Sequence, residues 1–278
     1  MTIAAVANLR VVIAGEAVLS GLDLTVKSGE RVGLLGASGS GKSMTARALL
    51  GQLPARARAT GSVRIRGHEV LGTPAARRPR HARAAHVSQD SAVALNPLVR
   101  VDRQLCHPMM VRGAGRDAAR VEAAALLESV GLPAPTDLLR RFPGQLSGGQ
   151  RQRVCIALAL ACQSSLLVAD EPTTALDVVS QRQVIDTLLR YTSGAGRPAE
   201  PAPGLLFITH DLAVASQVCQ RALVLVDGAV VEAKPMLDLL VAPEHPYTRS
   251  LVAVARATQL PDLAVTEPAA APVGAAAR

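Results

Sequence analysis

The sequence predicts an α/β fold: a mainly parallel sheet covered on both faces by helices, with a short antiparallel β unit ahead of it. Three observations predict it. The stretches "GERVGLLG", "SLLVAD" and "GLLFITHD" are apolar without alternation, the pattern of strands buried on both faces. Helical patterns separate them, most clearly "RDAARVEAAALLESV" at 116–130. The first 35 residues instead alternate apolar and polar side chains around a turn, as half-buried antiparallel strands do. With 278 residues, 49% of them hydrophobic and 19% charged, the chain is long and apolar enough to bury a substantial core.

In chain order, "AVANLRVVI" and "AVLSGLDLTV" read as strands joined at Ala14–Gly15–Glu16, and "GERVGLLG" follows as the first buried strand. A helix opens after Gly41 and ends near Leu50, where Gly51 and Pro54 stop it. "TGSVRIRGHEV" reads as a strand and turn. Residues 116–130 form an amphipathic helix, and the run after Gly149, "QRQRVCIALALA", forms another. "SLLVAD" is the second buried strand, followed by a helix from about Val179 to Tyr191. "SGAGRPAEPAPG" (193–204) reads as a flexible loop, "GLLFITHD" as the third buried strand, and "RALVLVDGAVVEA" as a hairpin turning at Asp227–Gly228. From Thr258 the chain is rich in Ala and Pro, and disorder is expected. No internal repeat is visible.

Composition narrows the partners. The longest uncharged run, Val154–Ala169, is too short to span a membrane and is interrupted by Gln-Ser-Ser. The N-terminus lacks the charged-then-apolar pattern of a signal peptide, so a soluble cytoplasmic chain is expected. Cys106, Cys155, Cys162 and Cys219 show neither a CxxC pair nor metal-ligand spacing. Cys155 and Cys162 lie two helical turns apart in an apolar run and read as core filling, with all thiols reduced. The net charge of +8 is carried mainly by arginine, concentrated in "RRPRHAR" (Arg77–Arg83). Phe142, Tyr191, Phe207 and Tyr247 are too few for a base-stacking platform, so no nucleic-acid partner is expected. The arginine cluster reads as a solvated loop or as an attraction to an anionic membrane surface.

"GASGSGKS" (Gly36–Ser43) fits GxxxxGK[ST] directly after a buried strand and at the opening of a helix. Gly36, Gly39 and Gly41, with Ser38 and Ser40 between them, let backbone N–H groups converge on phosphate oxygens, and the helix start favours the anion. Lys42 is placed to pair with the β- and γ-phosphates and Ser43 to ligate Mg²⁺. "LLVADEP" (Leu166–Pro172) delivers two carboxylates at the end of a second buried strand, where ligands of such sheets bind. Asp170 is the natural Mg²⁺ holder through water, and Glu171 is placed to polarise an attacking water. These features together predict binding of a nucleoside triphosphate such as ATP.

With "LSGGQRQR" (146–153) and "VADEPTTALD" added in this order, residues 3–257 resemble the ATP-binding-cassette ATPases. The resemblance implies a P-loop NTPase core with a mainly parallel sheet, an N-terminal antiparallel β subdomain, and a helical subdomain inserted at about 90–163. It implies a cassette over 1–257 followed by the disordered tail 258–278. Gln89 in "HVSQD" looks like the glutamine that senses Mg²⁺ and the attacking water, and His210 in "ITHD" like the histidine that contacts the γ-phosphate. Asp177 in "TALD" resembles the loop aspartate that links paired sites. Ser147, Gly148, Gly149 and Gln150 correspond to the signature that closes on ATP held by a second chain. One copy of each motif therefore implies that an isolated chain is catalytically incomplete.

Two further segments narrow the resemblance. "QDSAVALNPLVRV" and "APEHPYTRSLV" are similar to the oligopeptide, dipeptide and nickel importer ATPases. That likeness implies a second ABC ATPase chain, two transmembrane permease subunits and an extracytoplasmic solute-binding protein as partners. The chain would sit at the cytoplasmic face of the inner membrane, with Asn96 and Pro97 facing the pore. The alternatives are an exporter's separate ATPase or a soluble non-transport ATPase. The sequence also departs from the family. Val12 or Ile13 stands where an aromatic ring usually meets adenine, and Gln145 precedes the signature where many importers carry a His-Glu pair. No cysteine follows Cys219, so no iron–sulfur cluster is expected.

Overall fold

The computed structural model describes residues 1–174, 176–194 and 201–258. The chain opens with β1 (Thr2–Ile13), β2 (Glu16–Lys27) and β3 (Arg31–Gly36), followed by α1 (Lys42–Leu50), β4 (Ala57–Ile65) and β5 (His68–Glu69). Two 3-10 turns, Ala75–Arg77 and Arg80–Ala82, lead to β6 (Ala84–Val87). Next come α2 (Ser91–Ala94), α3 (Val101–Val111), α4 (Arg116–Ser129), α5 (Pro135–Leu139) and α6 (Gly148–Ala161), then β7 (Leu166–Asp170). The remainder is α7 (Val178–Thr192), β8 (Gly204–Thr209), α8 (Leu212–Val218), β9 (Arg221–Val226), β10 (Ala229–Pro235), α9 (Met236–Val241) and α10 (Pro246–Thr258).

Local chemistry sets the turns. Ala14 and Gly15 both adopt positive φ between the paired Ile13 and Glu16, which makes a two-residue turn matched to strand twist. Asp227 and Gly228 do the same between β9 and β10. Gly51 ends α1 in the left-handed region at φ 70°, its N–H reaching back to the carbonyls of Ala48 and Arg47.

The strands form two sheets. An antiparallel sheet has the order β2-β1-β4-β5, and a six-stranded sheet has the order β10-β9-β3-β8-β7-β6. Every pair in the second sheet is parallel except β10 with β9. The expected mainly parallel sheet and the separate antiparallel unit are both present. Period-two alternation then builds two cores from single strands. Leu34, Val168, Leu206 and Ile208 face a core shared with α1 and the first sheet. Leu35, Leu167, Leu205 and Phe207 face a core shared with the helices on the other side. Each such side chain, removed from water, contributes roughly 1.5–3 kcal/mol.

Strand order gathers the polar loops at one end of the sheet. Adjacent strands β3, β8, β7 and β6 end, respectively, at Gly36, Thr209, Asp170 and Val87. Their C-terminal ends therefore present the Gly36–Ser43 loop, His210, the Asp170–Glu171 pair and Gln89 along one edge. Helices α2 to α6 all fall between β6 and β7. We propose that this stretch, about 90–163, is a subdomain inserted into a cassette spanning 1–257. The Ala/Pro-rich segment beyond Thr258, and residues 195–200 of the loop expected at 193–204, lie outside the described residues.

Candidate active site

The glycine loop wraps the start of α1. Gly41 has φ 104°, and a Cβ there would meet Leu19 Cδ2 at 2.7 Å and the Val18 carbonyl at 2.9 Å, so no larger residue fits. Lys42 is buried and its Nζ donates to the carbonyls of Gly36 (2.8 Å) and Ala37 (2.7 Å). The Ser40 hydroxyl is buried without a hydrogen-bond partner, an orphan inside an anion-shaped loop. Ser38, Gly39 and Ser43 are exposed on the loop. Burial lowers the Lys42 pKa, opposed by the nearby charges of Glu171 and Asp170. The Asp170 carboxyl is raised, first by burial and then by Glu171, although Ser43 hydrogen-bonds it and Lys42 lies close.

Glu171 is the hub of the site. Its backbone sits in the left-handed region at φ 47°, held by its N–H donating to the Ile208 carbonyl at 2.9 Å. Its Oε1 lies 2.9 Å from His210 Nδ1, and its Oε2 accepts from Gln89 Nε2 at 3.1 Å and from Thr174 Oγ1 at 3.2 Å. One cavity of about 700 Å³ brings Lys42, Ser43, Gln89, Glu171 and His210 together. Two residues that carry no sequence signal of their own also act here. Thr174 braces the carboxylate, and Gln152 donates to the carbonyls of Ser88 (3.3 Å) and Pro172 (3.2 Å), tying the approach to Gln89 to the segment after Glu171. Gln152 belongs to "GQRQR", but only its burial distinguishes it from its charged neighbours.

The signature residues lie elsewhere. Ser147 caps α6, its hydroxyl accepting from the Gln150 N–H at 3.2 Å while Gln150 Oε1 accepts from the Ser147 N–H at 3.1 Å. Ser147 and Gly148 are exposed, and a Cβ on Gly148 would meet nothing within 4 Å. Asp177 caps α7, accepting from the N–H and hydroxyl of Ser180, which lower its pKa. None of Ser147, Gly148, Gly149, Gln150 or Asp177 is among the described residues that line the phosphate cavity.

Several expectations change. Val12 and Ile13 pair with Arg58 and Ala57 within the first sheet, and the cavity wall from that sheet is Val18 of β2; an aromatic ring, Tyr247 of α10, does line the cavity. Cys155 is buried with its thiol pushed up to about 12, but Cys162 lies just past the end of α6 and is exposed, so it fills no core. The arginine cluster is not uniformly solvated. Arg78 is buried, its guanidinium donating to the carbonyls of Thr73 (2.7 Å), Val70 (3.1 Å) and Leu49. Gln145 accepts from the Phe142 N–H at 2.9 Å, and Asn96 exchanges hydrogen bonds with Gln104.

The fold and the constellation at the sheet edge define a phosphate-loop nucleoside triphosphatase. A profile of the ABC transporter family matches residues 19–174. A probable peptide ABC transporter ATP-binding protein of Sinorhizobium fredii is 39% identical over 239 residues, covering 84% of this chain and 70% of that protein. The oligopeptide transport ATP-binding protein of Salmonella typhimurium is 40% identical, covering 83% and 68%. A glutathione import ATP-binding protein of Escherichia coli is 38% identical over 90% of this chain, but the match spans only 41% of that longer protein. Among solved structures, a bacterial ABC transporter cassette determined as a dimer superposes with a TM-score of 0.71 at 27% identity, covering 84% of this chain and 98% of the cassette. The chain belongs to the ATP-binding-cassette ATPases of the ABC transporter family. It is an ATP-binding enzyme of that family. Among the described residues, no helix is long and apolar enough to cross a membrane.

Proposed function

We propose that the chain is the ATP-hydrolysing subunit of a bacterial ABC importer for peptides, with nickel or a metal chelate as the alternative cargo. It works with a second ABC ATPase chain, two transmembrane permease subunits and an extracytoplasmic solute-binding protein, on the cytoplasmic face of the inner membrane. One observation carries the reading. Lys42, Glu171, Gln89 and His210 converge on a single cavity that the signature residues of the same chain do not line. The names of its relatives, which transport peptides, dipeptides and glutathione, supply the cargo class.

The geometry supports a definite division of labour. Backbone N–H groups of Gly39 and Gly41, with the Ser40 hydroxyl, cradle phosphate oxygens, and Lys42 turns from its two carbonyls to the β- and γ-phosphates. Ser43 and Asp170, in hydrogen-bonding contact beside Glu171, fit a hard divalent cation that takes oxygen ligands and keeps several waters. When bound, Mg²⁺ supplies charge neutralisation on the phosphates. Glu171 accepts the proton of the attacking water while Gln89 and His210 orient its two oxygens. Ser147 and the N–H of Gly149, from the second chain, complete the cage around the γ-phosphate, and Asp177 lies along the same seam. Closure on ATP and reopening after hydrolysis move the permease subunits.

Affinity purification of the chain from membranes tests this. Two permease subunits and a second cassette should copurify, and reconstituted vesicles should take up a labelled tripeptide in an ATP-dependent way. Copurification without uptake of peptide or nickel would refute the importer reading.

A further inference from the structure

The arginine-rich segment also builds a second cavity, of about 660 Å³, lined by Arg66, Arg80, His81, Arg83, His107 and Arg112. It lies at the opposite end of the sheet from the nucleotide. Ala84, which opens β6, and Ser164 and Ser165, which precede β7, also line it. A five-residue strand separates the two ends by roughly 17 Å.

Among the described residues its charge is not cancelled from within. No carboxylate is among the described residues that line it. Arg112 is compensated by Glu122 at 2.9 Å. Arg83 donates to the carbonyls of Arg78 (3.0 Å) and Ala76 (3.2 Å), and Arg80 to the Val111 carbonyl (3.1 Å); these contacts fix the guanidinium groups without neutralising them. The guanidinium of Arg66 has no hydrogen bond or ion pair among the described residues. Three uncompensated guanidinium groups around one concavity repel one another, and an anion relieves that repulsion. Planar N–H forks held in place match phosphate oxygens in a bidentate way.

We propose that this cleft is a second anion site, distinct from the nucleotide site, for a small soluble anion carrying two or more linked phosphates. Its volume exceeds what one phosphate fills, and its charge comes from two segments distant in sequence: Arg66 in the turn after β4, and Arg80 and Arg83 in the stretch that leads into β6. Occupancy would brace the roots of β6 and β7, whose far ends carry Gln89 and Glu171, and the end of α6, whose start carries the signature.

Calorimetric titration with inorganic tripolyphosphate tests the assignment. The Lys42→Ala chain, with its phosphate loop disabled, should still bind one equivalent. Adding Arg66→Glu should weaken that binding by about tenfold or more, whereas Arg66→Glu alone should leave ATP binding unchanged, which also reports correct folding. In the unsubstituted chain with its loop filled by a non-hydrolysable ATP analogue, tripolyphosphate should slow alkylation of Cys162, which lines the same cleft and is the exposed thiol of the four. No binding to the Lys42→Ala chain together with no protection of Cys162 would overturn the proposal. So would an unchanged affinity in the Arg66→Glu background, or binding to phosphatidylglycerol vesicles without binding of tripolyphosphate.

Discussion

Glu171 is held by three side chains at once, and together they keep its carboxylate at the cavity. Replacing it with glutamine keeps the size and the contacts with Thr174 and Gln89 but removes the proton acceptor. Glu171→Gln should lower steady ATP turnover by on the order of 10²–10⁴ while ATP binding persists, as a turnover assay and a nucleotide-binding titration would show. Brisk hydrolysis by this variant would remove Glu171 from the role. At this scale much of the constellation was legible. Lys42, Glu171 and His210 each follow an apolar strand, and such strands end at the ligand edge of a parallel sheet, whereas Gln89 was readable only through the family resemblance of "HVSQD". Gln152, Thr174 and Tyr247 were not legible, because Gln152 and Tyr247 act on partners 20 to more than 200 residues away and the short-range contact of Thr174 with Glu171 leaves no pattern. A lone threonine after "EP", or a tyrosine in "HPYT", carries no pattern of its own.

Among the elements, the last helix is fastened by one buried carboxylate. Glu232, in β10, accepts from the N–H groups of Glu244 (2.9 Å) and His245 (3.0 Å) just before α10, and Lys234 lies 3.1 Å away. Burial opposes its charge, but these donors outweigh it and hold its pKa at about 2, below the ordinary 4.5. The unfolded chain therefore takes up the proton first as pH falls. The stabilisation is whole above about pH 4.5 and is lost as pH drops towards 2. Glu232→Gln should cost about 2 kcal/mol at neutral pH and flatten the acid side of the stability profile, measurable by urea unfolding at several pH values. The buried strands and both two-residue hairpins were readable, since uniform apolarity and positive-φ residues leave plain marks in sequence. The four-residue β6 ("AAHV") and the seven-residue α8 were not, being too short for periodicity to declare itself. Arg78 illustrates the other gap: an arginine among arginines reads as solvated, whereas its fork caps three carbonyls from two segments.

For the whole molecule, two exposed apolar surfaces fit the proposed assembly. Val93 and Leu98, 80% and 85% exposed, flank Asn96–Pro97, which we assign to the permease contact. Leu98→Glu should leave ATP hydrolysis by the purified chain unchanged, yet reduce copurification with the permease subunits and abolish uptake. Val178 and Val179, 84% and 70% exposed, follow Asp177 on the proposed seam between cassettes. The pairing is the central claim, because one chain separates its phosphate loop from its signature. A structure of the Glu171→Gln assembly trapped with ATP and Mg²⁺ tests it most directly. Head-to-tail pairing puts Ser147 and the Gly149 N–H of one cassette within about 3 Å of the γ-phosphate held by the opposite cassette's phosphate loop. A closed, ATP-loaded assembly in which those residues face solvent, away from either triphosphate, would contradict it.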